Sequence, residues 1–179
     1  DKASNEVQGT VLFDLKILQN TPSIFLDAKN LVAYQAFIDT KKVRVVYDGE
    51  KLVVEAPFSA NDTIQLKIVF TSYPSKAMYH IDADKDRLWD QVWTQGQGKY
   101  TSNWLPSIDD MNDKMIWSLS ITAPVSKYVV SNGHLVQVTD NKETKTWDYK
   151  MQKPMSTYLV ALAVGDYKVK TDTSATGTV

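Results

Sequence analysis

Apolar residues recur at every second position through most of this chain, and no other feature of the sequence constrains its fold as strongly. Val11, Phe13, Leu15 and Ile17 share one face of a segment whose other face carries Thr10, Leu12, Asp14 and Lys16. Side chains alternate across an extended backbone, so this pattern predicts a half-buried strand. In "TIQLKIVFT", Ile64, Leu66, Ile68 and Phe70 alternate with polar Gln65 and Lys67. Met115, Trp117, Leu119 and Ile121 repeat the pattern, and so do Trp147, Tyr149 and Met151. "VRVVYDGEKLVVE" (43–55) divides into two apolar runs around Asp48-Gly49, a hairpin signal because glycine accepts the positive φ of a tight turn. Asn132-Gly133 marks a second turn. "YLVALAV" (158–164) is apolar throughout and predicts a strand covered on both faces. No segment has a long 3.6-residue period, and the chain has no internal repeat or low-complexity tract. These patterns predict an all-β sandwich of many short strands in two packed sheets.

Composition narrows the chemistry. The 179 residues carry a formal charge of −1, which argues against nucleic acid or an anionic membrane as the main partner. No apolar run approaches the roughly 20 residues of a membrane helix. The start, "DKASNEVQGT", has neither signal-peptide character nor an initiator Met, so the chain reads as cut from something longer. With no cysteine, disulfides, thiol nucleophiles and Cys-based zinc sites are excluded together. The two histidines, His80 and His134, lie far apart, which leaves few ways to hold a catalytic transition metal.

Several local patterns invite a functional reading, and each has a plainer one. Asp82, Asp84 and Asp86 imitate a calcium loop, but Arg87 and Trp93 stand where such a loop needs a Gly and a bidentate Glu; a solvated acidic loop is expected. The acids of 109–114 read as a polar connection into the strand at Met115. Trp117 and Trp147 fall on strand alternation and are expected in the core. Trp89, Trp93 and Trp104 are read as loop residues, where core packing competes with a stacking platform for sugars. "TQGQG" (94–98) is, from spacing alone, a glycine-rich turn bearing two hydrogen-bonding side chains.

Taken in order, the short motifs converge. "WTQGQ" precedes Trp104-Leu105-Pro106, Asp109 and Lys114; then come Pro124, "SNG" (131–133) and "PMSTYLVALAVGDY" (154–167), with "QGTVLFDLKI" upstream. This arrangement resembles the N-terminal domain of the aminopeptidase N family of zinc metallopeptidases, which includes the leukotriene hydrolases. The resemblance implies a saddle-like, mostly antiparallel β-sandwich with two or more packed sheets, spanning residues 1–168. Residues 169–179 would lead toward an absent thermolysin-like catalytic domain. It also implies that the Thr-Gln-x-Gln/Glu loop lines the first specificity pocket and helps recognise the free N-terminus of a peptide substrate. By motif position those residues are Gln95 and Gln97, with Gly96 and Gly98 letting the backbone turn closely against substrate.

The sequence departs from the family pattern in places. Many relatives carry Glu at the position of Gln97, Ser107 stands in the usual Pro-Cys-x-Asp, Met111 replaces a proline and Ser102 replaces a common arginine. The family's zinc motif, His-Glu-x-x-His, is absent, so no catalytic or metal-binding residue is expected in this chain, and any zinc belongs to the parent enzyme. The expected partners are the parent's own catalytic domain and peptide N-termini, with no nucleic acid and no membrane. The chain is also read as beginning after the family's first strand. The competing reading is a free-standing β-sandwich that binds carbohydrate or protein.

Overall fold

The computed structural model describes residues 5–81 and 90–170. Within them the chain runs through β1 (Val7–Lys16), β2 (Thr21–Asp27), β3 (Leu31–Ile38), β4 (Lys41–Tyr47), β5 (Lys51–Phe58) and β6 (Thr63–Ser72). It continues through β7 (Met78–Ile81), β8 (Gln91–Thr94), β9 (Lys114–Pro124), β10 (Tyr128–Ser131), β11 (His134–Asp140), β12 (Thr144–Ser156) and β13 (Leu162–Gly165). Three sheets result, ordered β1-β6-β3-β4-β5-β2, β10-β13-β8-β7 and β11-β12-β9. Every pairing is antiparallel, and the sheets curl into a half-barrel with smaller sheets packed on it.

The period-2 residues build the core. β6 lies inside the six-stranded sheet, in register with β1 from Val7↔Ser72 to Lys16↔Thr63. Val11, Phe13, Leu66, Ile68 and Phe70 bury their side chains in one cluster with Leu26, Leu52, Val54 and Phe58. Leu105, Ile108 and Met115, partly buried, pack against that cluster. On the exposed side, the Lys51 ammonium lies 4.6 Å from the centre of the Phe25 ring, a cation–π contact that partly covers this outward aromatic. The Asp48-Gly49 hairpin forms between β4 and β5 as expected. Asp48 Oδ1 accepts hydrogen bonds from the Glu50 and Lys51 N–H groups at 2.8 and 2.7 Å, which hold its carboxyl below the usual range.

Trp117 and Trp147 are buried as their alternation predicts, in two further clusters. Asn132-Gly133 is also a turn, but one that changes sheets: β10 pairs with β13, whereas β11 pairs with β12. Lys127, between β9 and β10, reaches Asp90 at the start of β8 and both carboxylate oxygens of Asp166 at 3.0 Å.

The structure corrects the reading of 158–164 as one covered strand. Thr157–Leu159 form a 3-10 turn, and only Leu162–Gly165 is strand. The Thr157 carbonyl accepts from the Val160 N–H at 2.9 Å and closes the turn, leaving Leu159 46% exposed. One of the loop tryptophans is corrected as well, whereas Trp104 sits in a turn and packs in the core, as the plainer reading expects. Trp93 is a strand residue on β8, stacked on Tyr79 with ring centres 4.5 Å apart. Trp104 is 5% exposed, packed among Ala77, Trp117, Met155 and Val160, so it offers no stacking surface to a sugar. Trp89 lies outside the described residues.

Candidate site on the glutamine loop

β7 and β8 pair from Ile81↔Gln91 to Met78↔Thr94, and the glutamine loop begins where that ladder stops. The Gln95 N–H donates to the Ala77 carbonyl at 2.8 Å, adding one more rung. Thr94 Oγ1 accepts from the Leu162 N–H at 2.9 Å, which ties the root of the loop to β13. The backbone then reverses, with the Tyr100 N–H donating to the Gly96 carbonyl at 3.0 Å. The reversal uses two left-handed residues in succession, Gly98 (φ +87) and Lys99 (φ +66).

Gly96 is the buried point of the loop, and the reason is steric. A Cβ built there would lie 2.1 Å from Thr101 Oγ1 and 2.8 Å from the Tyr158 carbonyl oxygen. Only a glycine lets the chain pass so close to both. Gln95 and Gln97, one residue to either side, are exposed, and neither side-chain amide makes a hydrogen bond within the described residues.

Below the loop the structure is dense and polar. Thr101–Asn103 form a buried 3-10 turn. Thr101 Oγ1 donates to the Thr157 carbonyl at 3.1 Å, and Thr157 Oγ1 donates to the Ile108 carbonyl at 2.8 Å. The Ser102 N–H donates to Asp109 Oδ2 at 3.0 Å, and the Asp109 N–H to Asp27 Oδ2 at 2.9 Å. Asp27 and Ser107 exchange backbone bonds of 2.7 and 2.9 Å. Asp109 is thus a buried structural acid, and Asp110 folds its own turn by accepting from the Asn112 N–H at 2.8 Å. The polar-connection reading of 109–114 holds. Beside the loop lies an open pocket of about 290 Å³, bordered by Lys29, Lys76, Glu50, Tyr100 and Asn103 among others.

His80 lies on β7 and His134 lies exposed on β11, in different sheets. Among the described residues, no three His, Cys, Asp or Glu side chains form a group that could hold a metal ion, so these residues do not fit a catalytic zinc. The calcium-like acids Asp82, Asp84 and Asp86, with Arg87, lie outside the described residues. What the loop offers chemically is a pair of neutral amides, able to accept a hydrogen bond through oxygen and to donate through nitrogen. Residues 94–98 include no acid, histidine or cysteine. The sequence reading missed the support beneath it: Thr101, Thr157 and Tyr158. Thr101 and Thr157 are 56 positions apart, and the only local hint was the glycine between two glutamines.

Comparison with known proteins follows the same lines. Residues 1–159 match the profile of the Peptidase M1 N-terminal domain. The leucine aminopeptidase 2-2 of Meyerozyma guilliermondii is 29% identical over 168 residues, covering 89% of this chain and 26% of that protein. The M1 zinc metallopeptidase of Deinococcus radiodurans superposes with a TM-score of 0.76 at 22% identity, over 89% of this chain and 38% of its own. Leukotriene A4 hydrolase of Saccharomyces cerevisiae does so with a TM-score of 0.77 at 22% identity, over 93% and 27%. At such identities the structural likeness speaks for the fold. The chain spans about a quarter of the length of the curated relatives it matches.

Proposed function

This chain belongs to the Peptidase M1 N-terminal domain family, and from that premise we propose that it is one wall of the substrate cleft in a zinc-dependent aminopeptidase. In this reading residues 1–168 are the wall and 169–179 lead toward the catalytic domain. That domain would hold zinc and hydrolyse N-terminal peptide bonds, with the metal polarising the scissile carbonyl and activating water. Here Gln95 and Gln97 present their amide oxygens to the substrate ammonium, while Gly96 and Gly98 bring the backbone close.

The observation that carries this reading is the contrast within the loop. Its two glutamines are exposed, with amides that make no hydrogen bond among the described residues, yet Gly96 between them is buried against Thr101 and Tyr158. A turn that only connected strands would not need so firm a seat for two outward side chains. The carbohydrate reading has lost Trp104 to the core, and Trp93 is stacked on Tyr79.

The test uses the full-length enzyme. Gln97→Ala removes one neutral hydrogen bond, worth about 0.5–1.5 kcal/mol, so kcat/KM should fall roughly 2- to 13-fold with the melting temperature unchanged. Gln97→Glu should favour free amines over N-acetylated substrates, because only an ammonium rewards the added carboxylate. If both variants keep wild-type kcat/KM toward both substrate types while remaining folded, the loop is a turn and nothing more.

A further inference from the structure

We propose that Thr101 is a positioning residue for substrate recognition: its buried hydroxyl latches the glutamine loop to the 157–158 segment and so fixes where Gln97 points. This rests on the cleft reading above and goes beyond it, since Thr101 touches no substrate and acts only through the loop.

Three features converge on this hydroxyl. Thr101 is fully buried, at 0% exposure. Its Oγ1 donates to the Thr157 carbonyl at 3.1 Å, which fixes the direction of the O–H. The same atom lies where Gly96 comes closest, within 2.1 Å of any Cβ placed there. One oxygen thus bonds the segment behind the loop and sets how deeply the loop can sit. The Thr157 side is itself immobilised, with Thr157 1% exposed and its own hydroxyl held by the Ile108 carbonyl at 2.8 Å. On the loop side, the Tyr100 N–H closes back onto the Gly96 carbonyl at 3.0 Å, so Gly96, Gln97 and Gly98 move as one turn. Any shift of Gly96 is passed to Gln97 through a single peptide unit.

Chemistry separates the possible variants. Thr101→Val replaces the hydroxyl by a methyl of similar shape. The Thr157 carbonyl then loses one of its two donors, and a bulkier group presses on Gly96. Thr101→Ser keeps the hydroxyl and removes only a methyl. Thr101→Ala removes the hydroxyl without crowding Gly96.

The experiment is steady-state kinetics of the full-length enzyme on a free-amine aminoacyl amide, with melting temperatures in parallel. Thr101→Val should raise KM roughly three- to tenfold while kcat stays within about twofold, since a misplaced amide weakens binding of the amine and leaves the reacting centre alone. Thr101→Ser should restore the wild-type KM. In the Gln97→Ala background Thr101→Val should add much less than it does in the wild type, because Gln97 is gone and Gln95 is tied separately through its N–H to the Ala77 carbonyl. Equal KM for Thr101→Val and wild type overturns the proposal, as does a serine variant as impaired as the valine one, or effects that multiply in the double variant. Should Thr101→Val fail to fold, Thr101→Ala carries the same expectations. The two readings fail differently: an unchanged kcat/KM in Gln97→Ala sinks the cleft role, whereas a lowered kcat/KM there with an unchanged KM in Thr101→Val sinks the latch alone.

Discussion

Gly49 and Gly133 share a left-handed backbone, with φ of +100 and +87, but not their surroundings. A Cβ on Gly49 would meet nothing within 4 Å, whereas one on Gly133 would lie 2.2 Å from the Lys150 carbonyl oxygen. Alanine at 49 therefore costs only backbone strain, about 1 kcal/mol, or roughly 2–4 °C in a domain of this size. Alanine at 133 adds a collision with backbone that cannot rotate away and should cost about 3 kcal/mol or more, three times the thermal shift. Thermal melts of the two variants decide it, and equal shifts would mean that the β11–β12 ladder yields to the intruding carbon. Both glycines were readable as turns from Asp48-Gly49 and Asn132-Gly133. The difference between them was not, because Lys150 lies on a strand whose place above Gly133 no local pattern announces.

At the level of elements, Lys127 joins three short pieces of the chain. It anchors the β9–β10 connection to the four-residue β8 and to the exit of the four-residue β13. The hydrogen bond to Asp90 raises the lysine above its ordinary value and holds the Asp90 carboxyl below its own. A lowered carboxyl stabilises the fold above its unfolded value near pH 3.9, and that contribution fades as pH falls through the folded value. A raised lysine stabilises below its unfolded value near 10.4, and that contribution fades as pH rises through the folded one. Because the Asp90 side chain is 53% exposed, Lys127→Met should cost at most about 1 kcal/mol at neutral pH. The deficit should shrink below about pH 4 and above about pH 10.5. Denaturant midpoints across pH would show this, and a deficit unchanged at both extremes would assign Lys127 to packing instead. The long strands were legible because one face of each is buried, so β1, β6, β9 and β12 carry their period openly. The run 158–164 was not, since continuous apolarity looks the same in a strand and in a 3-10 turn whose residues pack. Trp93 misled for a related reason: turn residues nearby masked a short strand.

For the whole molecule, the sequence has no cysteine and two histidines, against the three protein ligands a catalytic zinc takes. The chain on its own should therefore retain far less than one equivalent of zinc after dialysis and should not turn over a chromogenic alanyl amide. One tightly held zinc with activity would contradict the assignment of the chemistry to another part of the protein. The site was legible only in outline. Motif order pointed to Gln95 and Gln97, but the seat beneath them is assembled from residues near 27, 101–109 and 157–158, which come together only in the folded chain. That scattering has a consequence in time. On the ribosome Gln97 emerges about 60 residues before Tyr158, which at about 5–20 residues per second is a delay of roughly 3–12 s. Throughout that interval the loop lacks the carbonyl against which Gly96 packs, so the glutamine loop acquires its seat only after β12 has been made.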